Sequence, residues 1–171
     1  MPEADGELLA LQALIDRSWA RAGPSLRAAW APDRRMTAAQ AVAFCAGQRH
    51  CVLAVARGSR PPILTPVSFH LTQGGTVWLP TDPGAVRVHA VRRHPAAAVA
   101  VGQGVSDTHR TVLASGPATL VPADEVPQAA AREAGAKLGD LSWAGLWIRL
   151  EPRRFFGYDA GSEGSLSSSP G

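Results

Sequence analysis

Residues 81–95 read TDPGAVRVHAVRRHP, and they follow GGTVWLP at 74–80. The first seven residues have the form of a strand entered through a Gly-Gly turn. Asp82 is the expected N-cap of the following helix and Pro83 its first residue, a favoured pairing. The helix is expected within 83–94, closed by Pro95. A strand that ends in threonine, turns through Asp-Pro-Gly and restarts as a helix has two readings. One is an ordinary connection. The other is a phosphate site, because a helix N-terminus offers unpaired amides and a positive dipole end. Thr81 adds a hydroxyl, and Arg87 adds a planar cation with five donors.

The pattern on either side is β. HCVLAVA at 50–56 is a near-continuous apolar strand, and RGSRPP at 57–62 is a turn. ILTPVSFHL at 63–71 is a second strand, in which Pro66 marks an edge position or a bulge because it cannot donate to a ladder. TQGG at 72–75 is a hairpin turn before TVWLPT. AAAVAVG at 96–102 fits helix by its alanines and strand by its place between turn signals; strand is preferred. RTVLASGPATLV at 110–121 is a strand with a bulge expected at Gly116-Pro117. A helix near PQAAAREAGAKLG precedes two last strands, GLWIRLE and RRFFGYD.

Upstream, Leu8, Leu11, Ile15 and Trp19 recur at helical spacing from Asp5 to about Ala22. A short second helix is expected over SLRAAW. TAAQ at 37–40 has the capping-box form and opens a third helix ending at Gly47. The order predicts an α+β protein. Its centre is an antiparallel split β-barrel of about six strands, with flanking helices. Three segments follow: an N-terminal helical extension over 1–36, the barrel domain over 37–159, and a disordered Gly/Ser-rich tail over 160–171.

The chain has 171 residues, 46% of them apolar and 18% charged, enough for one core and too apolar for global disorder. Its net charge is +3, but the arginines are spread as pairs with no basic block, which argues against nucleic acid. No apolar run is long enough to span a bilayer, and the start carries no basic region before its apolar residues. Cys45 and Cys51 fit no metal or redox spacing and read as reduced, buried thiols. A cytoplasmic protein without membrane or nucleic-acid partners is therefore expected. The five histidines do not form a metal motif: His89 and His94 are five apart, and no H-E-x-x-H occurs. ASGPA lacks the serine nucleophile elbow. No metal is expected, and no catalytic residue can be named.

The series GSRPPILTPVSF, GGTVWLPT, TDPGAVRVHAVRRHP, AAAVAVG and RTVLASGPATLV resembles the FMN-binding split-barrel family, also called pyridoxamine 5'-phosphate oxidase-like. The spacing from Thr81 to Pro95 matches the family's T-x-x-x-S-R-K-x-x-x-L-x-x-N-P without a gap. SGPATL matches its G-x-A-x-L, and WIRLEPRRFFGYD is similar to the R-x-x-P and aromatic strand of its short members. The alanine-, arginine- and proline-rich composition fits a high-GC organism, and the resemblance is to the short members of actinobacterial type.

The resemblance implies an FMN-dependent oxidoreductase acting on a small molecule, or a reductase using deazaflavin, whose acidic tail needs a basic groove. A non-catalytic flavin carrier, or a split barrel that binds nothing, is the alternative. The family's phosphate lysine falls on Arg87 and its threonine on Thr81. Thr65, Pro66, Val67 and Ser68 would run beside the flavin, with His70 on the face of Ser68. Arg110 matches a polar residue that often reaches the flavin across a homodimer interface. The helix-turn serine and the adjacent arginine are here Ala85 and Val86, and the C-terminal Trp and R-L-H-x-R of the vitamin-B6 oxidases have no counterpart. Arg92 is a further cation near the turn. Trp143 and Trp147 line either a flavin pocket or a dimer contact.

Overall fold

The computed structural model describes residues 2–161. Three helices come first: α1 (Pro2–Ala20), α2 (Pro24–Ala29) and α3 (Ala38–Ala46). The expected capping box starts α3, with the Thr37 hydroxyl accepting from the Gln40 amide and the Gln40 side chain accepting from the Thr37 amide. The remaining elements are β1 (His50–Arg57), β2 (Arg60–Ser68), β3 (His70–Leu71), β4 (Val77–Thr81), α4 (Val86–Arg93), β5 (Ala96–Gln103), β6 (Arg110–Pro122), α5 (Gln128–Leu138), β7 (Leu146–Leu150) and β8 (Arg154–Asp159).

Every strand pairing is antiparallel, in the order β2-β1-β5-β6-β7-β4-β3, with β8 added against β6. The strands number eight rather than about six. One reason is a break at Phe69, which is buried in the core and splits the expected second strand into β2 and β3. Pro66 pairs with Val52 in unbroken register on a strand at the end of the sheet order, so it takes an edge position.

The long strand β6 makes the split. Residues 110–115 pair with β8 and residues 118–122 with β7. The expected bulge at Gly116-Pro117 is absent, because the β5 register runs unbroken through Gly116 and Pro117. Gly116 serves a close crossing instead. A Cβ there would collide with the Glu151 carbonyl oxygen and lie 2.9 Å from the Arg153 amide, where β7 passes to β8. AAAVAVG forms strand, not helix, since its two neighbours bury Ala97, Val99 and Val101 on one face.

The barrel core holds Leu53, Phe69, Leu79, Ile148 and Phe155, each at most 1% exposed. Removing a side chain such as Phe155 costs about 3–5 kcal/mol. The N-terminal helices share this core: Leu11, Ile15 and Trp19 of α1 belong to it, and Met36 covers Gly157 of β8. A second cluster forms where Ala130, Ala134 and Leu138, spaced four apart on α5, cover Trp78 and Trp147. Residue 160, which the expected tail includes, is packed against the barrel. Ala160 is buried, and its amide donates to the His109 carbonyl at 2.8 Å while its carbonyl accepts from Arg34. The tail from 162 to 171 lies outside the described residues.

Candidate functional site

The connection from β4 to α4 is not built as the sequence predicts. The helix begins at Val86, three residues beyond Pro83, with Ala85 at the N-cap and no side-chain cap. Asp82 instead makes a small turn of its own: its carboxylate accepts from the Gly84 amide at 2.7 Å, and its carbonyl accepts from the Ala85 amide. The local bond satisfies Asp82 before a helix can start on it. Val86 and Arg87 occupy the first turn, where amides lack an intrahelical acceptor.

Thr81 closes β4 on the face that Leu79 turns to the core, and it is fully buried. Its Oγ1 accepts from Arg87 Nε at 2.7 Å. That bond orients the guanidinium and leaves both terminal NH2 groups without a protein acceptor among the described residues. Burial lowers the Arg87 pKa from its ordinary value, and the nearby Asp82 carboxylate raises it. An arginine keeps its proton under such a shift at neutral pH. The pair is an oriented, half-buried cation beside helix amides, the chemistry an anionic phosphate requires.

Strand β2 divides its expected ligands between two faces. Thr65 and Val67 pair with Leu53 and Cys51 and face inward; Pro66 and Ser68 pair with Val52 and His50 and face outward. The Thr65 hydroxyl is buried and has no hydrogen-bond partner among the described residues. An orphaned hydroxyl of this kind fits a polar ligand group. The second edge of β2 has no strand beside it among the described residues, so its backbone groups are available there.

His70 points away from the core that Val67, Phe69 and Leu71 enter, as Ser68 does. The alternation continues past the one-residue gap at Phe69, and His70 pairs with Trp78, whose side chain lies under α5. Thr81 stands three residues from Trp78, on the opposite face of β4. His70 Nε2 sits 3.1 Å from a Glu133 carboxylate oxygen of α5, without hydrogen-bond alignment. Burial first, and Lys137 after it, hold its pKa below the ordinary value, against the opposing pull of Glu133. Arg110 is half exposed and pairs with Asp159 of β8 at 3.0 Å. Trp147 is buried under α5, while Trp143 is 49% exposed with its indole N–H on the Asp140 carbonyl. Arg92 is exposed on α4. Among the described residues no group of metal-ligating side chains forms.

Two features escaped the sequence reading. A cleft of ≈ 380 Å³ lies between the β1–β2 turn and α4, lined by Arg57, Arg60, His89, Arg93 and His94. Val86, His89, Ala90 and Arg93 follow helical i, i+3, i+4, i+7 spacing, so one half of the cleft was readable. The other feature is an apolar outer sheet face. Two cross-strand rows build it: Leu64, Ala54, Ala98, Ser115 and Arg154, then Pro66, Val52, Ala100, Leu113 and Phe156. Leu64 is 64% exposed and Val52 45%.

Comparison with known proteins bears on the fold and the family. A conserved hypothetical protein of Mycobacterium tuberculosis superposes with a TM-score of 0.65 at 23% identity, covering 83% of this chain and 96% of that one. An FAD-binding protein of Mycobacterium smegmatis gives 0.57 at 17%, covering 73% and 98%. The haem storage protein HutZ of Vibrio cholerae gives 0.57 at 14%, covering 70% and 94%. At these identities the likeness is one of fold. No curated protein matches the chain at a significant level. The sequence pattern of the pyridoxamine 5'-phosphate oxidase family matches residues 37–160, which spans Thr65, Thr81, Arg87 and Arg110 together, and the chain belongs to that family.

Proposed function

We propose that this protein is a flavin-dependent oxidoreductase that holds FMN by its phosphate at Thr81 and Arg87 and acts on a small molecule as a homodimer. The observation that carries the reading is the Thr81–Arg87 bond, which aims an otherwise unpaired guanidinium beside the first turn of α4. The orphaned Thr65 hydroxyl and the edge of β2 supply neutral donors and acceptors for the rest of the cofactor. A structural relative is named for FAD binding, which supports a flavin in this fold.

Bound there, the flavin supplies hydride or electron transfer, so no protein acid or base is obligatory. The chain's own residues bind and orient. Arg87 neutralises the phosphate, Thr81 fixes the guanidinium, and the amides of Val86 and Arg87 complete the anion cradle. The apolar sheet face of Val52, Leu64 and Leu113 is covered by a second copy, which brings the cofactor groove to the subunit boundary. Arg110, on the rim of that sheet, reaches toward the partner's cofactor once it leaves Asp159.

The test is a visible spectrum of the purified protein, taken before and after incubation with FMN and gel filtration. Retained FMN absorbance at about one flavin per chain is expected. A colourless protein that retains none favours the non-catalytic reading.

A further inference from the structure

We propose that the cavity bounded by the start of α1, the β3–β4 hairpin, α5 and the end of β7 is a binding site for a small organic diamine. It stands apart from the cofactor site and does not depend on it.

The cavity has a volume of ≈ 620 Å³. Its floor is one cross-strand pair, Trp78 of β4 beside Arg149 of β7. Thr81 stands three residues from Trp78, so its side chain leaves β4 on the other face of the sheet. Pro127, just before α5, and Ala130 within it add an apolar wall, while Thr72 and Gln73 of the hairpin supply neutral polar groups.

The first ground is charge. Glu7, Glu133 and Glu151 line the cavity against a single arginine, Arg149. That arginine is already paired, with a terminal nitrogen 2.8 Å from a Glu151 carboxylate oxygen. Glu7 has no ion-pair partner among the described residues, and Glu133 meets only His70. Two carboxylates are therefore left uncompensated in a chain whose net charge is +3. A cleft lined by one sign of charge concentrates the opposite ion.

The second ground is an orphaned acceptor. His70 stands beside Trp78 and two residues before Thr72, and both of these line the cavity. The histidine is 8% exposed, and its Nε2 points at the Glu133 carboxylate from 3.1 Å without a hydrogen-bond partner. Burial favours the neutral imidazole. A ring nitrogen that is not aligned to donate to Glu133 presents its lone pair, and two neighbouring acceptors require a shared donor. An ammonium group carries three donors and serves both. The Glu133 side chain is 54% exposed, so it can turn to admit that group.

The third ground is spacing. Among the described residues no three His, Cys, Asp or Glu side chains converge as a metal ion requires. Glu7 lies over Gly74 at the hairpin tip, where a Cβ would come 3.8 Å from its side chain, and Glu133 lies over His70. His70 and Gly74 are four residues apart, a separation of roughly 10 Å along a strand that ends in a turn. Two anionic groups so spaced match two ammonium groups joined by a short methylene chain. The methylenes meet the apolar wall, and the indole of Trp78 favours a cation beside it.

Calorimetric titration of the full chain with 1,5-diaminopentane tests this, with n-butylamine and magnesium chloride as controls. The comparison proteins are Glu133→Gln and Glu7→Gln, each checked for an unchanged melting temperature. Wild type should bind the diamine at least tenfold more tightly than n-butylamine, and more weakly as salt rises. Each variant should lose about tenfold in diamine affinity, the equivalent of one charge-assisted contact. FMN, titrated in parallel, should bind all three proteins alike. Should one variant fail to fold, the other decides. The proposal is overturned if wild type does not bind the diamine, if n-butylamine or magnesium binds as tightly, if the folded variants keep full affinity, or if they lose FMN equally. If the diamine pattern holds and no protein binds FMN, the site stands and the cofactor reading falls.

Discussion

Arg87 Nε donates to Thr81 Oγ1 at 2.7 Å, so a half-buried cation is tied to a fully buried hydroxyl across the turn from β4 to α4. The bond satisfies the threonine and fixes the fork of the guanidinium. Thr81→Val keeps the shape and removes the acceptor. A hydrogen bond to a charged group contributes about 1.5–3 kcal/mol, with the isosteric replacement at the low end. The melting temperature should fall by about 2–6 °C in a chain of this size. FMN affinity should fall by roughly three- to tenfold as the guanidinium loses its orientation. Calorimetric scanning and a flavin titration read the two effects.

Ala85 occupies the N-cap of α4, where the family pattern carries serine. The helix therefore lacks a side-chain cap, and Ala85→Ser should supply one. Stabilisation of about 0.5–2 kcal/mol is expected, or a rise in melting temperature of about 1–8 °C. An unchanged or lower melting temperature would show that the Asp82 turn already sets the geometry of this helix start.

His70 gives the fold a pH dependence of known sign. Burial keeps its folded pKa below the ordinary imidazole value, with Lys137 adding to the effect and Glu133 opposing it. Below about pH 6.5 the unfolded chain binds the proton that the folded chain resists. The contribution to stability is thus complete above that pH and declines as pH falls toward the folded value. Urea midpoints measured from pH 8 to pH 5 should decrease, and His70→Gln should flatten the decline. An equal slope in both proteins would assign the effect to other groups.

Much of this fold was legible because local signals agreed with tertiary structure. The capping box at Thr37, the Gly-Gly turn before β4 and the strand–turn–helix spacing from Thr81 to Pro95 each depend on neighbours in sequence, and each formed. The misreadings share a different cause. Asp82-Pro83 has strong N-cap chemistry, but the Asp82 carboxylate was captured by the Gly84 amide within two residues. Gly116 looked like a bulge, whereas its missing side chain admits the chain crossing at Glu151 and Arg153. His70 takes the face that counting along the strand gives, but α5 covers that face through Glu133, a contact distant in sequence. Arg57 and Arg60 gave no sign of meeting His89 and Arg93, since only the barrel closes that distance.

The apolar sheet face offers a test of assembly. Leu64 is 64% exposed, and its row continues through Ala54 and Ala98. Leu64→Glu puts a charge on the β2 edge of the proposed subunit contact while leaving the inward-facing core residues intact. Sedimentation should show a dimer for wild type and a shift of at least tenfold in the dimer dissociation constant for the variant. A wild-type monomer at micromolar concentration contradicts the homodimer.

The central claim is that Thr81 and Arg87 hold the cofactor phosphate, and a paired fluorescence titration tests it most directly. FMN and riboflavin, which differ by that phosphate alone, are titrated against wild type and Arg87→Ala. Loss of one charge-assisted contact worth about 1.5–3 kcal/mol corresponds to a ten- to hundredfold weaker FMN complex. Arg87→Lys should lose less, since it keeps the charge without the fork. Riboflavin should bind wild type and Arg87→Ala with about the same affinity. Equal FMN affinity for wild type and Arg87→Ala, with the fold intact, would contradict the claim and leave the turn as a connection only.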